Sequence, residues 1–181
     1  MNVEELVSAL TLEEKAGLCS GADFWHTKAV ERLGIPAIKV SDGPHGLRTQ
    51  KEGSTDPNDA IEAVCFPAGC AAAASFDPAL TRRMGAALGR EARASGVQVL
   101  LGPAVNIKRS PLCGRNFEYY SEDPYLAGEL AAGFIQGVQR GSAPPSSILP
   151  PTARRRAACP PTAAWTSARC TKSTCPLLRR R

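Results

Sequence analysis

Two polar clusters in the chain have the residue types of a ligand site. The first, SDGPHGLR at residues 41–48, puts the carboxylate of Asp42 directly after an apolar run and the guanidinium of Arg48 six positions later. The second, GRNFEYYSEDP at residues 114–124, gathers Arg115, Asn116 and Glu118 with Phe117, Tyr119 and Tyr120. Carboxylates and arginines form paired, charge-assisted hydrogen bonds to adjacent hydroxyls, and an aromatic ring offers a platform to a shallow apolar face. A sugar ring has both features, so these clusters suit a polyhydroxylated ligand.

Each group also has a purely structural reading. An Asp after a strand can serve as an Asx-turn or helix cap. Arg115 and Glu118 can form an ion pair that only braces their loop. Glu122-Asp123-Pro124 reads as the start of the following helix. His26 and His45 have no second ligand three or four positions away and read as loop hydrogen-bonders, so no metal site is expected. Phe24 and Trp25 read as core or rim packing. Residue types alone give an α/β protein with a polar ligand face.

The elements that must position these clusters are legible nearby. Thr11 followed by Glu14 is a capping box that opens a helix. Ala37-Ile38-Lys39-Val40, after the turn Leu33-Gly34-Ile35-Pro36, suits a buried strand ending at the first cluster. A second strand-like stretch is expected at residues 67–75. From Asp77 the pattern turns helical, with Leu80, Met84, Leu88 and Ala92 at four-residue steps and Arg82, Arg83, Arg90 and Arg93 between them. Gly96 stops that helix, residues 97–101 give the clearest strand, and residues 125–139 form another amphipathic helix. Strand, loop and helix in alternation imply parallel βα units, whose strand-following loops collect function at one face.

Charge divides the chain. Its 181 residues carry a net charge of +5, yet from Arg140 to Arg181 there are eight Arg, one Lys and no acid. Removing that basic excess leaves residues 1–139 at a net −4. The acidic body and the shortage of aromatics in the tail, Trp165 apart, argue against a nucleic-acid binder. No apolar run approaches the roughly 20 residues of a membrane span. The first residues, Met1-Asn2-Val3-Glu4-Glu5, carry acid where a secretory signal carries base, and of the seven cysteines four, Cys19, Cys65, Cys70 and Cys113, are scattered without metal-ligand spacing. Reduced thiols in a cytoplasmic protein are therefore expected.

The order of motifs is more specific than any one of them. LTLEEKAGLCSG, LGIPAIKVSDGP, FPAGCAAAASFDP and GPAVNIKRSPLCGRNFEYYSEDPYLAGELA together resemble the N-terminal barrel of family 3 glycoside hydrolases, the β-glucosidase group, across residues 3–139. The resemblance implies an α/β fold, an incomplete (β/α)8 TIM-type barrel holding the first βα units only, since a full barrel needs about 250 residues. It implies retaining hydrolysis of β-glucosides or related oligosaccharides with no metal or organic cofactor. Asp42 would grip hydroxyls in the cleavage subsite, Arg48 and Arg115 would hold the same ring or orient Asp42, and Glu118 would support Arg115. The family's Lys-His pair, nucleophilic Asp and general acid/base come later than this pattern extends, so no catalytic residue is expected in the chain. The alternatives are a non-catalytic sugar-binding fragment and an inactive pseudogene product.

After Gln139 the likeness stops, and residues 140–181 read as a basic, Pro-rich, irregular and disordered tail. A displaced reading frame accounts for them. Residues 146–152 can be encoded so that the frame shifted by two nucleotides reads KHFAAN, and the continuation can give SQETRR and VDERTLHEIYLPAF. These strings resemble the family's own continuation. At Trp165-Thr166, where codon choice vanishes, the shifted frame is forced to the required Asp. Residues 1–139 are accordingly the barrel portion and 140–181 a frameshift-like tail. That tail, with its Pro pairs and like charges, is expected to leave the last strand an unpaired edge and the chain marginally stable.

Overall fold

The structure is a computed structural model that describes residues 2–51, 53, 54, 56, 59–141 and 147–149. Two short helices open it. Helix α1, Val3–Ala9, starts from an Asn2–Glu5 capping box, and α2, Leu12–Cys19, from the expected Thr11–Glu14 box. In the latter the Glu14 amide donates to Thr11 Oγ1 at 3.2 Å and the Thr11 amide to Glu14 Oε2 at 2.8 Å. Neither helix contains a buried residue. Capping and the Arg32 side chain hold them instead: Arg32 ion-pairs with Glu14 and donates to the Ala9 carbonyl at 2.8 Å.

Strand β1, Val40–Asp42, begins where the expected apolar run ends. Residues just before it, 38–40, pair antiparallel with 25–27 through Thr27 N–H to the Ile38 carbonyl and Val40 N–H to the Trp25 carbonyl. That local ribbon is not visible in the alternation of βα signals. The stretch at 67–75, expected as a strand, is instead the short helix α3, Gly69–Ala73. Its alanines have the strongest helix preference and no β-branched neighbour to oppose it.

Helix α4, Pro78–Ala94, is capped by Asp77, whose carboxylate accepts from the Ala79 amide at 2.8 Å. Its buried stripe is Thr81, Gly85, Leu88, Gly89 and Ala92, one step round from the expected Leu80–Met84 side. Gly96, at φ +68°, takes the left-handed turn that ends the helix. Strand β2 follows at Val99–Leu101, and then helix α5, Pro124–Gly141, capped by Asp123 through the amides of Tyr125 and Leu126.

Strands β1 and β2 pair in parallel with Val40 opposite Val99 and Asp42 opposite Leu101. A third strand, β3 at Ser147–Leu149, pairs in parallel with β2, with Leu100 opposite Ile148. The expectation of an unpaired β2 edge and an irregular chain from residue 140 is thus corrected at these three residues. Ile148 and Leu149 form an apolar pair free of Pro, which can donate and accept in a ladder. The expected tail at 150–181 lies outside the described residues.

Among the described residues the sheet has the order β1-β2-β3, with two strand-to-strand crossovers. Leu100 at the sheet centre is fully buried under Leu88 and Ala92 of α4 and Phe134 and Val138 of α5. A second cluster joins Ala72 and Ala73 of α3 to Tyr120 and to Ala127, Leu130 and Ala131 of α5. Phe24 departs from its expected packing role: it is 91% exposed.

Candidate functional site

Both polar clusters follow the C-terminal ends of parallel strands, so the sheet brings them to one edge. At the end of β1, buried Ser41 fixes the exit by a 2.8 Å hydrogen bond between its hydroxyl and that of Thr49. The loop then returns on itself, with the Arg48 amide donating to the Asp42 carbonyl at 2.9 Å. This fold-back sets Arg48 Nη1 3.9 Å from Asp42 Oδ2. Gly46 permits the turn: its φ of +145° is open to glycine alone, and a Cβ would stand 2.5 Å from the Val64 carbonyl oxygen.

The Asp42 carboxylate accepts from the adjacent Gly43 amide at 3.1 Å. The Asx-turn of its structural reading is not formed, because the residue two positions on is Pro44, which has no N–H to donate. That contact does not consume it. About two-fifths of its side chain, 43%, remains exposed, and Arg48 is exposed to 54%. A pair this long and this wet contributes little to stability. It keeps the Asp42 carboxylate partly open to solvent at the strand end.

In the second loop Arg115 Nε donates to Glu118 Oε1 in a close ion pair, and the guanidinium carbon lies 5.8 Å from the centre of the Tyr119 ring. The adjacent Glu118 carboxylate holds Arg115 above its ordinary range. Glu118 is only 12% exposed, so the pair is set into the protein rather than laid on it. Asn116 steadies the loop by donating to the Ser110 carbonyl at 2.8 Å, while its own Oδ1 is buried without a hydrogen bond. The two readings of Arg115 and Glu118, brace and ligand contact, are compatible. Glu118 engages Nε, and 37% of the Arg115 side chain remains exposed.

The structure links the two clusters through two backbone amides, those of Gly69 and Cys70, to which residue types gave no role. The Gly69 amide donates to His45 Nε2 at 2.9 Å, and the next amide, Cys70, donates to the Phe117 carbonyl at 3.1 Å. His45 is thus the loop hydrogen-bonder expected, and His26 likewise contacts Asp23, 2.9 Å from Nδ1 to Oδ2. Trp25 is tied by Nε1 to Gln50 Oε1 at 3.0 Å. Cys19, Cys65 and Cys70 are free thiols. Among the described residues no group of three His, Cys, Asp or Glu is placed to hold a metal, and no helix is long and apolar enough to cross a membrane.

A parallel sheet with charged, hydrogen-bonding loops collected past its strand ends defines an α/β protein with a polar ligand face. The chain belongs to glycosyl hydrolase family 3: residues 7–150 match the model of that family's N-terminal domain. The match extends past position 139 and takes in β3.

Relatives agree. Thermostable beta-glucosidase B of Acetivibrio thermocellus is 60% identical over 141 residues, which are 77% of this chain and 19% of that protein. An exo-alpha-(1->6)-L-arabinopyranosidase of Bifidobacterium longum is 52% identical over 136 residues, 74% of this chain and 18% of that protein. Among solved structures, beta-glucosidase 3B of Thermotoga neapolitana in complex with alpha-D-glucose superposes with a TM-score of 0.68 at 42% identity, covering 77% of this chain and 21% of that one. The chain spans about a fifth of the length of these relatives.

Proposed function

We propose that this chain is the sugar-gripping front of a retaining β-glucosidase-type glycoside hydrolase, an incomplete (β/α)8 barrel without the nucleophile or the acid/base. In the retaining reaction a carboxylate attacks the anomeric carbon while a carboxylic acid about 5–5.5 Å away protonates the leaving oxygen. Neither role falls to a residue here. Asp42 accepts from sugar hydroxyls, Arg48 and Arg115 donate to the same ring, and Glu118 orients Arg115. The ligand is a β-glucoside or oligosaccharide, with no cofactor. The observation that carries this reading is the convergence of the Asp42–Arg48 and Arg115–Glu118 pairs on one end of the parallel sheet. The glucose complex of the Thermotoga neapolitana relative supports the choice of ligand.

Residues 140–181 are read as the product of a displaced frame, which places the missing groups in the alternative frame rather than in this chain. The test is an aryl β-glucoside assay on two purified proteins. The chain itself should give no turnover above a blank. The version continued in the displaced frame near codon 140, with its downstream sequence, should hydrolyse the substrate. Turnover by the short chain would contradict the absence of a nucleophile, and an inactive continued version would contradict the frame assignment.

A further inference from the structure

His45 sits midway between Asp42 and Arg48, so whatever fixes it fixes both. Its carbonyl accepts from the Phe66 amide at 2.7 Å, and its imidazole Nε2 accepts from the Gly69 amide at 2.9 Å. On its other side the ring meets Phe117 of the second cluster, 6.2 Å between centroids at an angle of 56°. Gly69 reaches this position because it has no side chain: a Cβ would stand 2.2 Å from the Glu118 carbonyl oxygen. Gly69 and Cys70 thus give one amide to each cluster, and His45 is the receiving group on the first.

A backbone N–H can only donate, so the Nε2 that accepts from it must carry a lone pair. The ring proton then lies on Nδ1, and the imidazole is neutral. A doubly protonated ring would set one N–H against another and lose the contact. The ionisable groups on the elements around the ring are Asp42 and Arg48 on its own loop, Arg115 and Glu118 beside Phe117, and the Cys70 thiol on α3.

We propose that His45 is a positioning residue, whose neutral Nδ1-protonated imidazole holds the Asp42–Arg48 loop in register with the Arg115–Glu118 loop by accepting from Gly69. Its consequence for sugar affinity rests on the proposed sugar-contact reading; the lock itself does not. Groups on two separate loops grip one ring only if their spacing is fixed, and displacements of about 1 Å are costly at such sites.

The experiment is nitrogen-15 NMR of the imidazole and of the Gly69 amide in the full chain, beside two variants titrated with glucose. The expected wild-type signature is an unprotonated Nε2 and a slowly exchanging Gly69 amide. His45→Gln puts Oε1 where Nε2 stood, and should keep both the slow exchange and the glucose affinity within about threefold. His45→Phe keeps the ring but not the acceptor. It should speed Gly69 exchange and weaken glucose binding by about tenfold each, the loss of one hydrogen bond of about 1.4 kcal/mol. A protonated Nε2 in the wild type, or Gln and Phe variants that behave alike, overturns the proposal. Should the Phe variant not fold, the wild-type tautomer decides. A wild type with the expected tautomer and exchange that binds no glucose would sink the sugar-contact reading and leave the lock standing.

Discussion

Gly137 of α5 lies so close to α4 that a Cβ on it would stand 2.1 Å from the Arg82 carbonyl oxygen. Gly85 of α4 answers from the other side, where a Cβ would be 2.2 Å from the Phe134 carbonyl oxygen. The two helices therefore meet backbone to backbone, and that contact seats Phe134 and Val138 over Leu100 of β2. Gly137→Ala sets two effects against each other. Helix propensity favours Ala by about 1 kcal/mol, but the methyl group cannot be accommodated without separating the helices, which costs about 1–3 kcal/mol or more. The clash prevails because the obstacle is backbone rather than a movable side chain. Urea denaturation should show Gly137→Ala destabilised, with Gly114→Ala, where a Cβ meets nothing within 4 Å, close to the wild type.

The opening helices respond to acid rather than to packing. Glu14 is held down to about 2, chiefly by its hydrogen bond from Arg32 and then by the Thr11 amide. A depressed carboxylate contributes stability above its unfolded value of about 4.5 and loses it as pH falls toward 2. The attachment of α2 should therefore be complete at neutral pH and fade across that interval. An NMR titration of the Glu14 carboxyl carbon checks it. Arg32→Ala should raise the midpoint toward 4.5 and speed amide exchange in α2 while leaving α4 and α5 protected.

Arg115 and Glu118 should be unequal partners when either is removed. Arg115→Ala strands a carboxylate that is only 12% exposed, whereas Glu118→Gln leaves a neutral amide that can still accept from the guanidinium. Losing the cation should cost about 1–3 kcal/mol and the Gln substitution distinctly less, because an unpaired, partly buried charge is the expensive remnant. Chemical denaturation of the two variants and their double mutant gives the comparison.

The features read correctly from sequence are those whose causes lie within a few residues. The Thr11–Glu14 box, the helix start at Asp77 and the Gly96 stop are one-turn features, and the Arg115–Glu118 pair spans three positions. Residues 67–75 misled because a short, small, apolar run has no period to separate strand from helix, and the alanines settled it as α3. Strand β3 was hidden for a different reason: its partner, β2, lies far back in the chain, and only pairing reveals three residues as a strand. The candidate site divides the same way. Asp42, Arg48, Arg115 and Glu118 were legible as types in loops. The join between them was not, because Gly69 finds His45 across 24 positions, and nothing in an alanine-rich stretch announces an amide clip.

The central claim is that both loops contact one sugar. Glucose titrated into the nitrogen-15-labelled chain tests it most directly, with amide and guanidinium shifts followed residue by residue. Saturable shifts should appear together at residues 42–48 and 115–118 with a single affinity. Asp42→Ala should weaken that affinity about ten- to a hundredfold at both loops at once, as expected for charge-assisted hydrogen bonds of about 1.5–3 kcal/mol. Shifts at neither loop, or shifts at 115–118 that Asp42→Ala leaves untouched, would contradict the account.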